Sequence, residues 1–193
     1  MNNKYYSALK ERLADISSPT DRMIALLSVL GRFLNDEGYS LPIVVGGAAV
    51  EIYTHGTYMS HDIDIKSDMA ATLRILGGMG FVNQGRSLMY SDEFDLLVDW
   101  QGASLEEGME AVERTLVVTS SDGAPILRLI NIVDLVIDRL EAYKFGKDRD
   151  SQSWAKVLLG LAERGELPLD EVLLRERAEL TDVADVLEEI WDR

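Results

Sequence analysis

Apolar residues recur at helical spacing through the first 35 positions. Tyr6, Leu9, Leu13 and Ile16 line one face of a first helix. Ser17-Ser18-Pro19-Thr20 breaks it, and Ser18 or Thr20 is placed to cap a second helix from about Asp21 to Asn35. Met23, Ile24, Leu27, Leu30 and Leu34 form the buried stripe of that helix, and Gly38 stops it. The period then changes. Ile43-Val44-Val45 is wholly apolar, which predicts a buried strand ended by Gly46-Gly47, with a helix opening at Ala48. His61-Asp62-Ile63-Asp64-Ile65 alternates polar and apolar, the pattern of a strand with one buried face. A helix over 70–79 follows, closed by glycines. Two strands over 87–90 and 94–100 are joined by the turn Ser91-Asp92-Glu93. A short helix over 106–113 precedes a hairpin of 116–119 and 126–129 around Ser121-Asp122-Gly123.

From Asn131 onward the pattern is helical. Asn131 caps a helix to about Phe145, Asp150 caps another to Ala162, and one or two more run from Leu169 to Trp191. The expected architecture is α/β (α+β): a small mixed sheet flanked by helices. It forms a single domain over 1–193, with N-terminal helices over 1–40, an α/β core over 43–130 and a helical part over 131–193.

Charge narrows the functions open to this chain. The 193 residues carry 19 Lys+Arg against 34 Asp+Glu, a formal net charge of −15. Such a surface repels phosphate polymers and anionic lipid, so no stable binding to long nucleic acid and no membrane role are expected. No stretch reaches the roughly 18 apolar residues of a membrane span, and the polar first residues have no apolar signal core, so a cytoplasmic location is expected. There are no cysteines, which excludes disulfides, thiolate metal sites and cysteine nucleophiles. Residues 161–193 hold 11 acids and 4 bases, a net −7, read as a solvated helical face or a surface for a basic protein partner.

The chemistry concentrates in two short segments. An Asp-x-Asp pair on a strand puts the carboxylates of Asp62 and Asp64 on one face, while Ile63 and Ile65 turn to the core. Adjacent carboxylates repel one another unless a cation lies between them, and an oxygen-preferring divalent ion such as Mg²⁺ suits that role. Upstream, Gly46-Gly47 lets the backbone come close to a ligand, and its N–H groups and the following helix terminus suit phosphate. A phosphate turn with a carboxylate pair is what nucleotidyl transfer from an NTP requires. A third carboxylate is expected on a neighbouring strand. Asp99, framed by Leu97, Val98 and Trp100, is favoured, and Asp95 is the alternative. His55 and His61 are expected to be exposed or structural, and Trp100, Trp154 and Trp191 to be packing residues. The serines and threonines lack the His-Asp partners of a triad.

Gly46-Gly47, Asp62-Ile63-Asp64 and Asp99 together resemble the signature of the nucleotidyltransferase superfamily that includes DNA polymerase beta. Val45-Gly46-Gly47, with Ser60 two residues before the first Asp, is similar to the small prokaryotic branch containing abortive-infection nucleotidyltransferase toxins. The resemblance covers roughly residues 43–165. It implies a nucleotidyltransferase fold, with Mg²⁺ held by Asp62, Asp64 and Asp99 (or Asp95), the last of these also serving as the base. It implies substrate contacts from Gly46, Gly47 and Ser60 and, on the downstream helix and the loop after it, from Arg139, Lys144 and Lys147. Asp148 and Asp150 fall where some relatives carry a functional acid, with spacing that does not match. The expected activity is Mg²⁺-dependent transfer of a nucleoside monophosphate from an NTP to an unidentified acceptor (protein, small molecule or small RNA), toxin-like in use. The rivals are a silent nucleotide-binding module and an antitoxin-like interaction module of the same fold.

Overall fold

In a computed structural model, residues 3–191 are described. They fall into two compact units, one through Ile130 and the other from Asn131.

The first unit opens with α1 (Lys4–Leu13), capped by the Asn3 side chain, which accepts from the Tyr5 N–H. Ser18, not Thr20, caps α2 (Pro19–Asp36), accepting from the Asp21 N–H, and Pro19 occupies the first helical position. Leu26, Leu27, Leu30 and Leu34 on α2 are fully buried. At about 2 kcal/mol for each buried leucine, this packing outweighs differences in helix propensity. Gly31 lets α2 lie directly on the sheet: a Cβ there would stand 1.7 Å from the Ile126 carbonyl oxygen.

The sheet has the order β3-β4-β5-β2-β1-β7-β6. Its strands are β1 (Ile43–Val44), β2 (Ile63–Lys66), β3 (Val82–Asn83), β4 (Leu88–Ser91), β5 (Leu96–Trp100), β6 (Leu116–Thr119) and β7 (Pro125–Leu129). β1 is parallel to β7 and β2 is parallel to β5, while the other pairs are antiparallel. Between the strands come α3 (Gly46–Tyr53), α4 (Met69–Gly78) and α5 (Met109–Arg114). β1 and β2 run in opposite directions, so the end of β1 lies beside the start of β2. That geometry brings the glycine pair to the Asp-x-Asp segment.

Several boundaries shift from the sequence expectation, the α5 start among them, now Met109, and three differences bear on the sheet and its site. Gly46 and Gly47 do not merely end β1; they are the first residues of α3. β5 starts at Leu96, not Phe94, because Asp95 adopts φ +48° in the preceding turn. β3 was not expected: it has two residues, both exposed, and carries no hydrophobic alternation.

The second unit contains α6 (Ile132–Lys144), α7 (Arg149–Glu163), α8 (Glu171–Leu180) and α9 (Ala184–Ile190). Asn131 caps α6, accepting from the Val133 N–H. The cap of α7 is Asp148, and Asp150 lies in its first turn. α6 is the central element of this unit, packing on α7, α8 and α9, and its Leu135, Ile137 and Leu140 are fully buried. Asp134, on the same helix, is wholly buried 3.9 Å from the Arg177 guanidinium.

Candidate metal and nucleotide site

Asp64 and Asp99 are directly paired across the parallel β2–β5 ladder, so their side chains share one face of the sheet. Asp62 lies two residues before Asp64, just ahead of the strand, and returns to that face. Asp62, Asp64 and Asp99 each offer a carboxylate oxygen within 4.8 Å of the others, and all three are half-buried. Asp95 is not part of this cluster. It is exposed in the β4–β5 turn, where it accepts a hydrogen bond from the Tyr90 hydroxyl at 3.3 Å. Partial burial and the Asp95 and Asp92 charges hold the Tyr90 phenol above its ordinary value.

Each carboxylate has identifiable supports. Gly47 N–H donates to Asp64 Oδ2 at 3.2 Å. Gly46 has φ +57°, and a Cβ on it would lie 2.2 Å from the same oxygen. The glycine pair thus lets the start of α3 close onto Asp64. The Ser87 hydroxyl donates to Asp99 Oδ1 at 2.7 Å. Gln101 Nε2 donates to Asp99 Oδ2 at 2.7 Å and to Asp64 Oδ1 at 3.2 Å, joining two of the three acids. The Ser60 hydroxyl stands 3.4 Å from Asp62 Oδ1, and its backbone N–H donates to Glu51 Oε2 at 2.7 Å.

Glu51, Ser87 and Gln101 were not singled out from the sequence. Gln101 was legible in part, since it follows Asp99 by two residues and so continues the same face. Glu51 and Ser87 gave no signal, because their contacts span 9 and 12 residues without a repeating pattern. A cavity of about 290 Å³ adjoins the cluster, lined by Glu51, Ser60, His61, Asp62 and Asp95 among others. His55 and His61 are both exposed.

Two of the three cations expected at the substrate, Arg139 and Lys144, have partners within the second unit. Arg139 pairs with Asp138 at 2.6 Å, donates to the Ser151 hydroxyl at 3.4 Å and lies over the Trp154 ring. Lys144 donates to the Asp182 carbonyl and to Asp185 at 2.8 Å. That hydrogen bond to Asp185 raises the Lys144 ammonium above its ordinary value and lowers Asp185 below its own. Lys147 is exposed in the α6–α7 loop at φ +59°.

The donor set of the cluster consists only of carboxylate oxygens, with no imidazole or thiolate. That favours a hard divalent cation, and Mg²⁺ commonly takes a few carboxylates and completes its octahedron with water and phosphate oxygens. The site therefore fits the ion that the sequence motif implies.

No protein-family model and no curated protein matches the sequence. Among solved structures, the solution structure of the antibiotic-resistance factor ANT(2'')-Ia is similar. The TM-score is 0.50 at 17% identity, over 83% of this chain and 91% of that one. The chain has a nucleotidyltransferase-type fold. Among the described residues, no helix is long and apolar enough to cross a membrane.

Proposed function

We propose that this protein transfers a nucleoside monophosphate from an NTP to a hydroxyl-bearing acceptor, using Mg²⁺ held by Asp62, Asp64 and Asp99. The observation that carries the reading is the meeting of these three carboxylates beside the glycine-opened start of α3. A divalent ion bound there would neutralise triphosphate charge and favour ionisation of the acceptor hydroxyl. The residues of the chain supply the rest. The Gly47 N–H already faces the Asp64 carboxylate, and the start of α3 beside it suits the triphosphate. Gln101 and Ser87 fix the orientation of Asp99, which stands as the base that takes the acceptor proton. The acceptor oxygen then bonds to the α-phosphorus, the bond from that phosphorus to the bridging oxygen breaks, and pyrophosphate leaves.

The net charge of −15 favours a small acceptor, a protein or a short RNA end over a long nucleic acid. A toxin-like role in the cytoplasm, with a basic protein as partner for the acidic C-terminal helices, completes the proposal.

The test is incubation with each of four α-³²P-labelled NTPs, Mg²⁺ and cell lysate. Label should pass to an acceptor with the wild-type protein and not with Asp62→Asn/Asp64→Asn. If no fraction retains label above that variant, the transferase reading fails in favour of a silent nucleotide-binding module.

A further inference from the structure

Glu51 is only 3% exposed, and a buried carboxylate is costly unless it is well hydrogen-bonded. It has two charge-assisted bonds: Oε2 accepts the Ser60 N–H at 2.7 Å, and Oε1 accepts the Thr20 hydroxyl at 2.7 Å. Glu51 follows Gly47 by four residues on α3, so it stands one turn further along the same helix. Gly47 holds Asp64, and Glu51 holds Ser60, whose hydroxyl reaches toward Asp62 at 3.4 Å. Asp64 is also fixed by the strand ladder. Asp62 precedes the ladder, at the end of a segment that leaves α3 through two positive-φ residues, His55 and Gly56. Its place depends on whatever anchors that segment.

We propose that Glu51 is a positioning residue that sets Asp62 in the metal cluster through Ser60. The helix that closes onto Asp64 at its first turn thereby places Asp62 from its second, and the spacing between the two carboxylates is set by one rigid element. Thr20 ties the same carboxylate to the start of α2, which keeps Glu51 from following Ser60 if the segment moves. This inference rests on the metal-binding reading of Asp62, Asp64 and Asp99. Its own content is that Glu51 acts on metal affinity without touching the metal.

The probe is Mn²⁺, titrated into the full chain and followed by water-proton relaxation, with hydrogen exchange of the Ser60 amide measured in parallel. Glu51→Ala should raise the Mn²⁺ Kd about tenfold and unprotect the Ser60 amide, whereas Glu51→Gln, which keeps an acceptor oxygen, should stay within about threefold of wild type. A core variant, Ile75→Val, controls for general loss of stability and should bind Mn²⁺ as wild type does. If Glu51→Ala does not fold, Ser60→Ala takes its place: it cuts the link to Asp62 while sparing the N–H bond to Glu51, and it should also weaken Mn²⁺ binding. An unchanged Kd in the folded variant overturns the role of Glu51, as does an equal loss in Ile75→Val. Absence of Mn²⁺ binding in the wild type itself overturns the metal reading and this inference with it, an outcome distinct from wild-type binding that survives in the Glu51 variant.

Discussion

A methyl group at Gly46 would meet Asp64 Oδ2 at 2.2 Å, on a backbone held at φ +57°. Both strains act on the residue that brings α3 to the cluster. Gly46→Ala should therefore destabilise the protein by more than about 1 kcal/mol in urea unfolding and weaken metal binding as well. Only a glycine next to the carboxylate explains both effects. The third acid also separates at this scale. In the sequence, Asp95 and Asp99 share a face of the same apolar run, so both stayed open. The structure separates them because Asp95 turns out of the strand and Asp99 pairs with Asp64. Asp99→Asn should lower Mn²⁺ affinity by at least about tenfold, and Asp95→Asn should leave it within a factor of about two. Equal effects in the two variants would contradict the geometry. The acids themselves were legible because strand alternation places Asp62 and Asp64 by spacing alone. Their supports, Glu51 and Ser87, were not, since no local period links them to the acids they serve.

Among the elements, the helices were the most legible, because long amphipathic stripes and polar caps survive in any context. Ser18 and Asn131 cap as their residue types predict. The misplaced cap on α7 has a simple cause: Asp148 and Asp150 are both good capping residues two positions apart, and composition does not choose between them. Asp148 accepts from the Asp150 N–H at 3.1 Å and from the Ser151 hydroxyl at 2.7 Å. The Ser151 bond, ahead of the backbone bonds and the Arg139 charge, holds its carboxyl below the ordinary carboxylate value. A carboxylate that is more acidic when folded adds stability above its unfolded value, near pH 4, and loses it as pH falls through the lower folded value. Helicity measured by circular dichroism should therefore fall below about pH 4 in the wild type, and part of that acid dependence should vanish in Asp148→Ala. At neutral pH the same variant should cost about 1 kcal/mol, the usual value of a helix cap. The two-residue strand β3 was beyond sequence reading, because it is defined by pairing with β4 and not by any pattern of its own.

For the molecule as a whole, the charge of −15 has two distinct parts. Three of the acids converge at the candidate metal site, where a divalent ion would offset them. Residues 161–193 add a net −7, and some of their acids are committed to local contacts, as Asp182 and Asp185 are to Lys144. The mixed sheet was legible as a class because apolar runs alternate with helical stripes. Its strand order was not, because the crossovers that set β2 between β1 and β5 depend on pairings distant in sequence. That order makes the site, since it puts Asp64 beside both Gly47 and Asp99. Transfer at this junction requires that it bind metal-complexed nucleotide. Calorimetric titration of NTP into the full chain at millimolar Mg²⁺ measures that binding. Saturable heat should appear with the wild type and be lost in Asp62→Asn/Asp64→Asn, with circular dichroism showing the fold intact. No heat in the wild type, or undiminished heat in the folded double variant, would contradict it.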